Sequence, residues 1–226
     1  MKVGSLFSGI GGLDLGLERA GMEVVWQVEN DPFCNRVLAK HWPNVTRYED
    51  VRDVDFRQVE PVEVIAGGFP CQDISHAGKR TGMAGSKSSL WYEFERAVCE
   101  IRPQFVLVEN VAGLLVRGLD GVLGRLADLG YDAEWNVLPA AAVGAPHLRA
   151  RVFVLAYPGG FGDGLAASTI SAGWDESIDC DWWQAEPGVG RVADGVPDQV
   201  DRLRALGNAV VPPVAEWIGR RIMAVA

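Results

Sequence analysis

Cysteine is scarce in this chain, with four residues in 226, and no two of them form a C-x-x-C pair. The three histidines do not join them at zinc-site spacing, so neither a disulfide framework nor a structural metal is expected. Long apolar runs are also missing: none approaches the roughly 20 residues needed to cross a bilayer. Met1 leads directly into Lys-Val-Gly-Ser-Leu-Phe, without the charged-then-apolar plan of a leader. The expectation is a soluble cytoplasmic monomer with no membrane and no metal partner. Positive charge is in deficit as well, with 21 Lys and Arg against 30 Asp and Glu and a net charge of -9. That balance weighs against a nucleic-acid partner, because polyanion binding rests on basic surface. Net charge does not report placement, however. Arg117, Arg125, Arg149, Arg151, Arg191, Arg202 and Arg204 suffice to line one cleft while the acids occupy another face.

What the chain does hold is a hydrophobic content of 48%, enough for one compact domain and a small appendage. Short apolar runs at Lys2 to Ser5, Val24 to Glu29, Val62 to Ala66, Phe105 to Glu109, Ala133 to Leu138 and Val152 to Tyr157 read as strands. Helical patterns alternate with them at Leu13 to Ala20, Pro32 to His41, Glu93 to Ile101 and Gly121 to Leu129. Val62-Glu-Val-Ile-Ala and Phe105-Val-Leu-Val are β-rich and nearly all apolar, as expected of strands buried on both faces of a parallel sheet. The fold class is α/β. From about Pro158 to Pro197 the composition shifts to Gly, Asp, Ser and Trp, with Trp174, Trp182 and Trp183 close together, which reads as a small insertion. A closing helix is expected over Val214 to Met223, where Val214, Trp217, Ile218 and Ile222 share one face.

Four stretches carry candidate chemistry. Leu6-Phe-Ser-Gly-Ile-Gly-Gly-Leu13 follows a strand and opens a helix, where glycines admit a ligand to the backbone and the helix end offers free N–H groups. The next strand ends in Glu29, followed by Asn30 and Asp31, at the position where a carboxylate takes ribose hydroxyls in doubly wound sheets. Asp31 before Pro32 reads as a helix N-cap. Asp50 reads as an acceptor for an adenine amino group or as a solvated loop acid. Ala66-Gly-Gly-Phe-Pro-Cys71-Gln-Asp-Ile-Ser75 sets a cysteine at a strand end, after a proline and before the polar, basic stretch Gly78 to Ser89. Cys34 and Cys99 read instead as small buried hydrophobes. Phe105-Val-Leu-Val-Glu109-Asn110-Val111 ends a buried strand in a carboxyl group, whose pKa burial would raise. His147-Leu-Arg149-Ala-Arg151 places two arginines on one face at the start of a strand, for structural ion pairs or for charge at a site.

In their order, FSGIGG, EN, GGFPCQ, VENV, RAR and LGNAVVP resemble the cytosine-5 DNA methyltransferases, especially the small bacteriophage and prophage forms. The resemblance runs from Lys2 to Tyr157 and again from about Arg191 to Ile222. It implies a class I S-adenosylmethionine-dependent methyltransferase fold with a mostly parallel seven-stranded sheet. The catalytic domain would comprise residues 1–157 and 201–226, with a reduced target-recognition region at 158–200. It implies S-adenosylmethionine held by Phe7, Gly9, Ile10, Gly11, Leu13, Glu29, Asn30, Asp50, Pro70 and Leu90, with a return strand at Asn208, Ala209 and Val210. The last helix would pack beside the first strand. Catalysis would fall to Cys71, Glu109, Arg149 and Arg151, and contact with double-stranded DNA to Gln72, Ser75, Lys79, Arg80 and Arg191. Lys87 stands where relatives commonly have Arg, which keeps the charge and loses the planar fork. Methylation of RNA by the same fold, or an inactive DNA-binding relative, are the alternatives.

Overall fold

The computed structural model describes residues 1–70, 90–160, 170 and 198–226. Cys71, Gln72, Ser75, Lys79, Arg80, Lys87 and Arg191 lie outside the described residues, as do Trp174, Trp182 and Trp183.

The strands are β1 (Lys2–Leu6), β2 (Glu23–Val28), β3 (Thr46–Tyr48), β4 (Val64–Gly67), β5 (Phe105–Val111), β6 (Tyr131–Leu138) and β7 (Arg151–Pro158). They form one seven-stranded sheet in the order β3-β2-β1-β4-β5-β7-β6. The helices are α1 (Gly12–Arg19), α2 (Pro32–His41), α3 (Leu90–Ile101), α4 (Leu114–Arg117), α5 (Leu119–Asp128), α6 (Gln199–Asn208) and α7 (Pro212–Val225). The first five strands pair in parallel, which helical crossovers such as α1 and α2 make possible. β7 alone is reversed, lying antiparallel between β5 and β6.

Strand alternation builds a core layer on each face of the sheet. On β5, Phe105 and Leu107 join the layer that holds Leu13, Leu17, Ile218 and Ile222, while Val106 and Val108 join the layer that holds Phe94, Val98 and Leu126. Each fully buried side chain of this kind contributes roughly 1.5–3 kcal/mol, so the two layers, rather than surface ion pairs, hold the sheet. On α3, Trp91, Phe94, Ala97 and Val98 turn one stripe inward. α2 begins as the sequence suggests: Asp31 accepts hydrogen bonds from the backbone N–H of Phe33 and Cys34, and Pro32 occupies the first turn.

Several expectations need correction. The Asn208–Val210 segment is not a strand. Asn208 ends α6, and Ala209 is extended as the chain passes into α7. The last helix does return to the start of the chain, but its direct neighbour is α1, where Gly16 leaves room for Ala215 and the backbone of Pro212 and Glu216. β3 was not foreseen, because Thr46-Arg-Tyr48 is a short edge strand without an apolar pattern. Cys99 is exposed on α3, whereas Cys34 is buried as expected.

Candidate active site

β1 is the strand at which the chain first reverses its order across the sheet, with β2 on one side and β4 on the other. Ligands of such sheets bind at the carboxyl ends beside that point, and a cavity of about 750 Å³ opens there. Phe7, Gly9, Leu13, Glu29, Asn30 and Asp50 line it, as do Pro70, Leu90, Asn208, Ala209 and Val210. Ile10 and Gly11 do not belong to its lining; Gly11 turns toward Trp42 and Leu38 instead.

Glu29 is held in place from two sides, accepting from the N–H of Gly9 and of Asp31, each at 2.7 Å. Its carboxylate therefore ties the glycine turn after β1 to the turn after β2. Asp50 is engaged by Arg52, whose Nε donates at 2.9 Å, and it also caps the short turn that begins at Val51. The Arg52 side chain, followed by its backbone N–H, holds the Asp50 carboxyl down at about 2. Cys34 also borders the cavity, but burial, reinforced by Glu29 and Asp31, pushes its thiol up to about 12. It stays protonated and unreactive at neutral pH.

Glu109 lies within β5 rather than at its end. Parallel pairing with β4 stops at Gly67, while antiparallel pairing with β7 carries the strand on to Val111. The carboxyl group is thereby buried just past the end of β4, only 7% exposed. Arg151 donates its charge from the opposing strand, Nε to Oε1 at 3.1 Å. Burial pushes Glu109 up to about 7, against the opposing pull of Arg151 and then Arg149. Gly68 packs against this carboxyl group: a Cβ there would lie 2.5 Å from Oε2. Asn110 secures the same segment by donating from Nδ2 to the carbonyl of Phe69 at 2.9 Å. Gly68, Phe69 and Pro70, the residues leading to Cys71, are thus set against Glu109 and Asn110, and all three border the cavity.

Arg149 is placed differently from Arg151. It precedes the strand, in a left-handed backbone conformation with φ of 34°, and does not line the main cavity. Its Nη2 donates to the carbonyls of Leu206, Gly207 and Ala209, at 2.8 Å for Gly207. A cation at the C-terminus of α6 satisfies carbonyls that the helix leaves unpaired. The sequence reading also missed a polar cluster at the cavity floor, formed by buried Ser5, Asp14 and Gln27 with half-buried Ser8. Its signal is polar residues inside apolar runs: Ser5 between Gly4 and Leu6, and Gln27 between Trp26 and Val28. Among the described residues, no group of three or more His, Cys, Asp or Glu is arranged to hold a metal ion. None of their helices is long and apolar enough to cross a membrane.

The sheet order, the reversed β7 and the cavity at the carboxyl ends of β1 and β4 define a class I methyltransferase fold. A model of C-5 cytosine-specific DNA methylases matches residues 1–163, and the chain belongs to that family. Type II methyltransferase M.Eco47II of Escherichia coli is 41% identical over 167 residues, 71% of this chain and 40% of that protein. M2.BsuMI of Bacillus subtilis is 37% identical over 164 residues, 69% of this chain and 42% of its own length. The chain therefore spans about two fifths of the length of these curated relatives. Among solved structures, a DNA modification methyltransferase encoded within an E. coli prophage superposes with a TM-score of 0.58 at 31% identity, over 70% of this chain and 47% of that one.

Proposed function

We propose that the protein methylates carbon 5 of cytosine in double-stranded DNA, with Cys71 as covalent nucleophile and S-adenosylmethionine as methyl donor. One observation carries this reading. The segment leading to Cys71 is packed against a buried carboxyl group, Glu109, whose pKa of about 7 suits a proton carrier at neutral pH.

The cavity fits the donor. Gly9 has open space where a side chain would stand, and Glu29 is fixed beside it with both oxygens directed by backbone N–H groups. In this reading Glu29 accepts from the ribose hydroxyls, while Phe7, Leu13, Pro70 and Leu90 enclose the rest. Arg149 serves the same pocket indirectly, by holding the Asn208–Val210 wall. When bound, S-adenosylmethionine supplies an electrophilic methyl group on a positively charged sulfur.

Carbon 5 of cytosine is a poor nucleophile. The Cys71 thiolate adds to carbon 6, a sulfur–carbon bond forms, and the electron pair of the carbon 5–carbon 6 double bond becomes available at carbon 5. Protonated Glu109 donates to ring N3, neutralising the charge that would otherwise build on the ring, and Arg151 holds Glu109 in place. Once carbon 5 carries its methyl group, a base or water removes the remaining carbon 5 proton. The double bond re-forms as the sulfur of Cys71 leaves. Because carbon 6 is covered in a stacked duplex, the nucleotide must be rotated out of the helix. Gln72, Ser75, Lys79, Arg80 and Arg191 remain the candidates for gripping its flanks.

Bisulfite sequencing of DNA from cells expressing the protein tests the activity and reports the sequence context. Protected cytosines are expected with the native chain and not with Cys71→Ala. Equal protection in both, or none in either, overturns the proposal, and the same readout on cellular RNA separates the two substrates.

A further inference from the structure

The polar cluster at the cavity floor has a direction built into its hydrogen bonds. Asp14, in the first turn of α1, has no exposed surface. Its Oδ1 accepts from Ser5 Oγ at 2.6 Å and its Oδ2 from Gln27 Nε2 at 2.7 Å. Ser5 and Gln27 are register partners on β1 and β2, so one carboxylate clasps the strand pair from below. An ionised carboxylate only accepts. Ser5 must therefore spend its proton on Asp14, and its oxygen accepts from Ser8 Oγ at 2.8 Å. The Ser8 proton is thereby held inward, toward Ser5 Oγ and the Ser5 carbonyl at 3.3 Å. Ser8 lines the cavity next to Gly9, and the face it offers a ligand is its lone pairs.

We propose that Asp14 is a positioning residue that polarises the Ser5–Ser8 relay so that Ser8 presents an acceptor to a cationic group of the bound donor, its α-ammonium. This rests on the donor assignment above. Packing alone does not explain the carboxylate. Burial raises Asp14 from 3.8 to about 6 against the lowering effect of Ser5 and Gln27, so at neutral pH it is ionised in a place that favours its neutral form. Gln27 Oε1 is buried without a hydrogen-bond partner, so the cluster holds more acceptors than it uses. Asp14→Asn removes the buried charge and, with its Oδ1 still accepting from Gln27 Nε2, turns its amide Nδ2 toward Ser5 Oγ. Ser5 then accepts from that amide and directs its own proton to Ser8 Oγ, so Ser8 is free to release its proton toward the cavity. Few charges compete in this setting. Glu18, one turn along α1, acts on Asp14, β1 and β2 offer Ser5 and Gln27, and Glu216 on α7 is paired with Arg220.

Calorimetric binding of two ligands separates this role from a structural one. S-adenosylhomocysteine carries the α-ammonium, and 5′-methylthioadenosine lacks the whole amino-acid part. Asp14→Asn is expected to weaken the first about tenfold and the second less than twofold, at pH 7.5, with a melting temperature no lower than that of the native chain. Ser8→Ala, which leaves the Asp14 clasp intact, is expected to reproduce the selective loss. As pH falls through 6, affinity of the native chain for S-adenosylhomocysteine should drop toward that of Asp14→Asn, whose own affinity changes less. Glu109 titrates in a neighbouring window but is common to both proteins. Equal weakening of both ligands, or no selective loss in either variant, overturns the inference. Failure of the native chain to bind either ligand overturns the donor assignment instead.

Discussion

Replacing Glu109 with Gln should make the protein more stable and almost inactive. Glu109 titrates at about 7 in the folded chain, against 4.5 for the free side chain. The folded state therefore binds more protons than the unfolded state between those values. The contribution to stability is fully present below about pH 4.5, declines as pH rises, and is lost above about 7. At roughly 1.4 kcal/mol for each pH unit of difference, the ionised carboxylate costs the fold about 3 kcal/mol at pH 8. Gln is neutral throughout, so Glu109→Gln should exceed the native chain by about 3 kcal/mol at pH 8 and converge with it near pH 4.5. Arg151 loses its anionic partner in the variant, but protonation of Glu109 removes that partner too, so the comparison already contains the loss. For a domain of this length, about 3 kcal/mol corresponds to roughly 6–12 °C in melting temperature. Urea titrations of both proteins from pH 4.5 to 9 measure the difference directly. Methyl transfer should meanwhile fall about 10²–10⁴-fold, the usual worth of a positioned acid. A variant no more stable than the native chain at pH 8, or a stability difference independent of pH, would refute the reasoning.

Three further substitutions probe the walls of the site. Arg149→Ala removes the donor to the carbonyls of Leu206, Gly207 and Ala209. Since hydrogen bonds to a charged group contribute about 1.5–3 kcal/mol, unfolding free energy should fall by about 2 kcal/mol in urea titration. Affinity for S-adenosylhomocysteine should fall with it, and Arg149→Lys should recover part of both. Gly68→Ala sets a methyl group against Glu109 Oε2, so kcat should drop at least tenfold in a radiolabelled methyl-transfer assay while donor KM stays within about threefold. Glu29→Ala should do the reverse, raising the dissociation constant for S-adenosylhomocysteine at least tenfold, a loss of about 1.4 kcal/mol or more.

The parts of this fold that can be read from sequence are those whose burial forces a pattern. β4 and β5 are apolar on both faces, and α3 turns one stripe inward, so each announces itself in the chain. α6 does not. Ala205 is its buried residue, while Val200, Leu203 and Leu206 are exposed, so its apolar spacing gives no clue to how it docks. Its attachment comes instead from Arg149, 57 residues from Leu206 along the chain. At the site, Glu29 and Glu109 were legible because each acid directly follows an apolar run. The different fates of Arg149 and Arg151 were not: two residues apart in sequence, they are separated by the positive φ of Arg149, which alternation along a strand cannot foretell. The Asp14 cluster was hidden for another reason. Its members are 9 and 13 residues apart along the chain and meet only when β1, α1 and β2 close on one another.

The docking of α7 on α1, with Val210 at the cavity wall, also orders events during synthesis. The glycine turn and α1 are made first, and Asn208 to Val210 follow about 195 residues later. At roughly 5–20 residues per second that interval is about 10–40 s. Throughout it the nascent chain carries an open-sided pocket and an uncovered apolar stripe at Leu13 and Leu17. Both are completed by the same late segment. A ribosome-bound chain stalled before α7 would therefore leave both open, and the donor proposed for this pocket would be held only once α7 has docked on α1.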